Sequence, residues 1–96
     1  MGKYKIRIST TEPVLIDALQ FDGTLSRWNE IQTTFPGIEA AGISYNETRN
    51  ELILLNIATQ EGSESVSSGD YIVKGPGGNY FPCKPDIFGK TYEAVE

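Results

Sequence analysis

Hydrophobic and polar residues alternate at the start of the chain. In "KYKIRI", Tyr4, Ile6 and Ile8 fall on one side and Lys3, Lys5 and Arg7 on the other. That period of two reads as a half-buried strand with a basic outer edge. "EPVLIDALQF" (Glu12–Phe21) admits two readings. Thr11 and Pro13 can open a helix with Val14, Leu15, Ala18 and Leu19 on one side. As a strand, Val14, Ile16 and Ala18 line one face and Leu15, Leu19 and Phe21 the other. The strand is favoured, because a helix here would run for only about two turns before "FDG". "DGTLSRWNEIQTTFPG" changes the period to that of a helix, expected over about 24–35. Asp22 or Thr24 caps it, and Leu25, Trp28, Ile31 or Gln32, and Phe35 form the apolar stripe. Pro36-Gly37 ends it.

"IEAAGISY" and "ELILLNIA" return to strand patterning around the turn "NETRN". In the second, Ile53, Leu55 and Ile57 share one face and Leu52 and Leu54 the other, which predicts a central strand covered on both sides. The helix supplies one cover, anchored by Trp28. "TQEGSESVSSG" is a loop or a short edge strand around Val66. "DYIVK" and "NYFPC" form a hairpin through "GPGG", whose glycines permit positive φ. "KPDIFGK" reads as a proline-initiated helical turn with Asp86 near its start and Gly89 as terminator, and "TYEAV" as a last strand. The expected fold is α+β: residues 1–96 form one small domain, a curved, mostly antiparallel sheet packed on one helix.

Composition narrows the partners. The 96 residues suit a single core and carry a net charge of −5, so nucleic acid is not an expected partner. Thirteen acidic residues spread along the whole chain give little of the dense array that mimicry of nucleic acid requires. No apolar run has the length of a membrane span, and the N-terminus lacks a signal-peptide core. A cytoplasmic protein is expected, so the sequon "NET" carries no meaning.

Catalytic chemistry is sparsely represented. Histidine is absent and cysteine occurs once, which removes the usual triads and the commonest metal sites, so neither enzyme activity nor a cofactor is expected. "GPGGNY" fits neither the dinucleotide fingerprint nor the phosphate loop. Lys84, beside Cys83, would favour its thiolate, but no general base accompanies the pair. The remaining candidate chemistry is that of binding. Prolines on both sides of "CK" stiffen the backbone around Lys84. The amides of "KGPGG", with Lys74 and Lys84 beside them, offer an anion cradle. Tyr80 and Phe81 point to opposite faces, leaving one aromatic outward unless another element covers it. The candidate ligand-binding set is Lys74, Gly75, Gly77, Gly78, Tyr80, Lys84 and Phe88, and Lys84→Ala is expected to weaken binding without unfolding the protein.

The stretch "GDYIVKGPGGNYFPCKPDIFGKTYE", within residues 68–92, resembles the C-terminus of a family of short bacteriophage and prophage proteins of uncharacterised activity, some with a PGDYG-like signature. "EPVLIDALQF" is similar to that family's "KPVVIEAIQW" element, and Asn79 stands where the family usually has Glu. The resemblance implies phage origin and action in the host cytoplasm, and it makes a counter-defence role the leading expectation. In that role the protein would be a non-enzymatic, homo-oligomeric binder sequestering a small anionic nucleotide-type immune signal. The alternative is an inhibitor that binds a host protein through an acidic surface.

Overall fold

The computed structural model describes residues 2–6, 15–75 and 77–94. Arg7, Ile8, Thr11, Glu12, Pro13 and Val14, on which part of the sequence reading rests, lie outside the described residues. In chain order the elements are β1 (Gly2–Ile6), β2 (Leu15–Gln20), α1 (Leu25–Thr34), β3 (Ala40–Asn46), β4 (Glu51–Thr59), β5 (Gly62–Ser65), β6 (Tyr71–Lys74), β7 (Tyr80–Cys83), α2 (Pro85–Thr91) and β8 (Tyr92–Ala94). The fold is α+β, with every described strand pair antiparallel.

The strands form two sheets rather than one, in the orders β7-β6-β2-β1-β8 and β3-β4-β5. Helix α1 shares one core with both. Trp28, Ile31 and Phe35 pack with Leu55 and Ile57 of the smaller sheet and with Ile72 and Tyr80 of the larger one. Ile31 is fully buried and Gln32 exposed, so the stripe runs through Ile31. The opposite face of the larger sheet carries a second core, Ile16, Ala18, Val73 and Phe88, covered by α2.

Local chemistry explains the boundaries of α1. Thr24 caps it, its hydroxyl accepting from the Arg27 amide at 3.1 Å. Asp22 in turn accepts from the Thr24 amide at 3.0 Å and the Thr24 hydroxyl at 2.6 Å. These bonds, the hydroxyl one first, lower the Asp22 pKa. Because the depressed group is ionised when the cap forms, this support is present above the ordinary carboxylate range and is lost as acid protonates it. Gly37, at φ 91°, turns the chain away from the helix.

β4 is central in its sheet, but one face of it is open to solvent. Opposite β3, Leu52 pairs with Tyr45 and Leu54 with Ser44, so Ile53 is an extra residue in the ladder. That bulge shifts the alternation by one. Leu52 joins Leu55 and Ile57 on the core side, while Ile53 and Leu54 are 68% and 47% exposed. The strand covered on both faces is instead β6, whose Ile72 and Val73 are both fully buried, one in each core.

The C-terminal hairpin forms as the glycines indicate, with Gly78 at φ 86°. The segment before Val66 is the short edge strand β5. Helix α2 starts at Pro85 as expected, but it runs through Gly89 to Thr91. Gly89 is not its terminator; the helix ends where Tyr92 turns extended and enters β8.

Candidate functional site

The structure does not bring the seven sequence-derived binding residues to one place. Tyr80 and Phe88 lie in cores on opposite faces of the larger sheet, 8% and 4% exposed. The Tyr80 hydroxyl donates to the Pro36 carbonyl at 2.9 Å, tying β7 to the end of α1. Burial, with the Asp17 charge as a lesser cause, pushes its phenol pKa up. Phe88 stacks on Tyr71 with ring centroids 3.9 Å apart and planes 6° from parallel. Tyr4 and Tyr92 close around the same ring at 4.8 Å and 5.1 Å.

No outward aromatic remains at "YF". Tyr80 faces α1, and Phe81 is half-buried against the α2-side core. The two helices cover opposite faces of the larger sheet, so both orientations along β7 are occupied.

The glycine turn spends its amides on itself. The Gly75 amide donates to the Asn79 carbonyl at 2.9 Å, and the Gly78 amide to the Gly75 carbonyl at 3.0 Å. An anion cradle needs amides that converge outward, and these two point into the turn. Lys74 is half-buried at the end of β6, in register with Asp17 and Tyr80.

Lys84 has a partner within the chain. Its Nζ lies 3.1 Å from Oδ2 of Asp70, whose side chain is only 4% exposed. The same oxygen accepts from the Ser67 amide at 2.9 Å. Lys84 is also the residue preceding α2, so the pair ties the start of that helix to the turn that opens β6. The prolines on each side hold Lys84 for this internal contact. Truncating it therefore removes a charge-assisted bond to a buried carboxylate, and a loss of stability is expected in place of a pure binding defect.

The surrounding cleft, about 490 Å³, is lined by Glu64, Asp70 and Lys84 with Cys83 and Ile87. Two carboxylates against one ammonium make it a poor receptacle for an anion. Lys84 does not activate Cys83 either. Burial, then the Asp70 and Asp86 charges, raise the thiol pKa. Alkylation of native Cys83 at pH 8 is accordingly expected to be several-fold slower than that of free cysteine, converging only after unfolding. A native rate equal to the unfolded one would contradict this placement.

Two other surfaces carry more chemical character. A cleft of about 590 Å³ lies among the Phe21–Thr24 segment, the β3–β4 turn and Val66–Ser68. Phe21, Leu52, Leu55 and Val66 supply apolar lining, and Asp22, Arg49 and Glu51 supply charge. Asn50 builds one wall of it. At φ 52° it is the described non-glycine residue with a left-handed backbone. Its Oδ1 accepts from the amide and hydroxyl of Ser26 at 3.0 Å and 2.9 Å. The hairpin turn thus satisfies amides at the start of α1. The second surface is the β3–β4 hairpin itself, where Ile43, Tyr45, Ile53 and Leu54 are 40%, 48%, 68% and 47% exposed. Sequence reasoning missed this patch, because alternation alone places Ile53 with Leu55 and Ile57 in the core.

Among the described residues no group of three His, Cys, Asp or Glu could hold a metal ion. No helix among them is long and apolar enough to cross a membrane. Comparison with protein-family models, curated proteins and solved structures gives no significant match.

Proposed function

We propose that this chain is a non-catalytic binding protein of phage or prophage origin that acts in the host cytoplasm by docking onto another protein through the β3–β4 hairpin. The observation that carries this reading is the exposure of four large apolar side chains on one hairpin. Exposed apolar residues scattered singly are ordinary, but the bulge sets Ile53 and Leu54 side by side on the outward face of the hairpin, while Ile43 and Tyr45, opposite Leu55 and Leu52, lie on its other face. Exposed Glu39, Glu47 and Glu51 flank it, on a chain of net charge −5. The complementary partner is a protein with an apolar centre and a basic rim, so association is faster at low salt.

The test compares wild type with Ile53→Glu/Leu54→Glu, both outward-facing positions, as tagged baits in bacterial lysate. One stoichiometric protein with a basic surface should be retained by wild type, released by salt, and lost with the double variant at unchanged circular dichroism. No such protein, or equal retention by the variant, overturns the reading.

Sequestration of a small nucleotide-type ligand is the second reading, favoured by the cleft of about 590 Å³ with its apolar lining and Arg49. It shifts the ligand away from Lys74–Phe88. Thermal-shift measurements with a panel of cyclic and ADP-ribose-type nucleotides test it. A shift abolished by Arg49→Ala supports it, and no shift across the panel removes it.

A further inference from the structure

The cleft of about 590 Å³ beside the β3–β4 turn has an apolar floor and a charged rim. Phe21, Leu55 and Val66, all buried, form the floor. The walls are pinned to one another. The Leu52 amide donates to the Gly23 carbonyl at 2.9 Å, the Leu25 amide to the Asn50 carbonyl at 3.4 Å, and the Gly69 amide to the Phe21 carbonyl at 2.7 Å. Gly23, at φ 87°, lets its segment approach Ser68, since a Cβ there would stand 3.2 Å from that of the serine. The cleft is therefore formed before anything enters it, and an occupant bears little of the cost of ordering it.

Charge selects the occupant. Two carboxylates, Asp22 and Glu51, and one guanidinium, Arg49, line the rim, and exposed Glu47 stands in the same turn as Arg49. Among the described residues no cation lies within ion-pair distance of Asp22. Its Oδ1 accepts from the Thr24 amide and hydroxyl, and these bonds favour the ionised form. Glu51 meets Arg49 only at 4.0 Å, with side chains 55% and 74% exposed, a contact that contributes little. An anion entering here would face three carboxylates for one cation. A cation is the complementary charge.

We infer that this cleft receives an arginine side chain of the docked partner. The inference rests on the docking reading and supplies its anchor. Ile53 lines the cleft and also belongs to the outward pair with Leu54, so a protein lying on that pair reaches the rim. Arginine suits both parts of the cleft. Its methylene stem lies along the apolar floor. Its planar, weakly hydrated guanidinium presents a fork of donors to the carboxylates of the rim, which the point charge of lysine does not. Arginine is also among the residues that dominate binding at the centre of interfaces.

Titration of acetyl-Leu-Arg-Leu-amide into isotope-labelled protein, followed by NMR, tests the inference without the partner in hand. The amides of Asp22, Gly23, Arg49, Asn50 and Ser68 should shift, with a dissociation constant on the order of 1 mM for a single anchor. The same peptide with citrulline, the neutral isostere of arginine, should bind about fivefold more weakly. Asp22→Asn, which keeps an acceptor for Thr24, and Glu51→Gln should each weaken the arginine peptide by about three- to fivefold at unchanged circular dichroism. No shift of these amides up to about 10 mM, equal binding of the two peptides, or a stronger response of the same amides to ADP-ribose would overturn it. Lysate capture by wild type that persists in Asp22→Asn/Glu51→Gln would overturn the arginine anchor and leave the docking reading standing. Peptide binding at the cleft with no protein captured by wild type would overturn the docking reading alone.

Discussion

Trp28→Ala is expected to lower the unfolding free energy by about 3–5 kcal/mol and the melting temperature by roughly 15–30 °C. The indole is 2% exposed and belongs to the core that holds α1 against both sheets. Its removal leaves a cavity bounded by three elements, which cannot all collapse inward together. A domain of this size has roughly 5–15 kcal/mol in total, so the variant sits near the threshold of folding. Urea unfolding followed by circular dichroism measures the loss. A destabilisation below about 1 kcal/mol would mean that the two sheets are not joined through Trp28. Gln32→Ala, one position beyond Ile31 and exposed, should change stability by less than about 0.5 kcal/mol.

Asp70→Ala is expected to cost about 2–4 kcal/mol, because it deletes the shared acceptor for the Ser67 amide and the Lys84 ammonium. Lys84→Met should cost less, about 1–2 kcal/mol, since the lysine side chain is 57% exposed and solvent screens part of the pair. The two effects are coupled. With Asp70 already removed, Lys84→Met should be nearly neutral, and the double-mutant cycle should give about 1 kcal/mol or more of interaction. Strict additivity would show that the ion pair does not hold the α2 terminus in solution. It would also return Lys84 to the set of side chains available to a ligand.

The elements legible in the sequence are those whose signals are local. α1 was bounded by Thr24, Asp22 and Pro36-Gly37, and the structure gives Leu25–Thr34. Alternation in "LIDALQ" identified β2 against the helical reading, with Ile16 and Ala18 on one face and Leu19 on the other. The "GPGG" turn implied its hairpin. Features that depend on distant partners were not legible. Asp70 and Lys84 are 14 residues apart, and nothing local marks them as a pair. Asn50 sits 24 residues from the Ser26 amide it satisfies. One inserted residue, Ile53, broke the period of β4 and moved two large apolar side chains from the expected core to solvent. The candidate site failed for a related reason. Glycine, proline, lysine and aromatic residues serve turns and cores as readily as ligands, and in the C-terminal quarter the observed contacts are of that first kind.

The central claim is that the working surface is the β3–β4 hairpin and not the C-terminal quarter. Photo-crosslinking from single positions decides between them, with the reactive group placed at Leu54 on the hairpin or at Ile87 beside Lys84, both exposed at 47% and 53%. In bacterial lysate the account predicts one discrete crosslinked protein from position 54, competed away by excess wild type, and none from position 87. Crosslinks confined to position 87, or none from position 54, would contradict it.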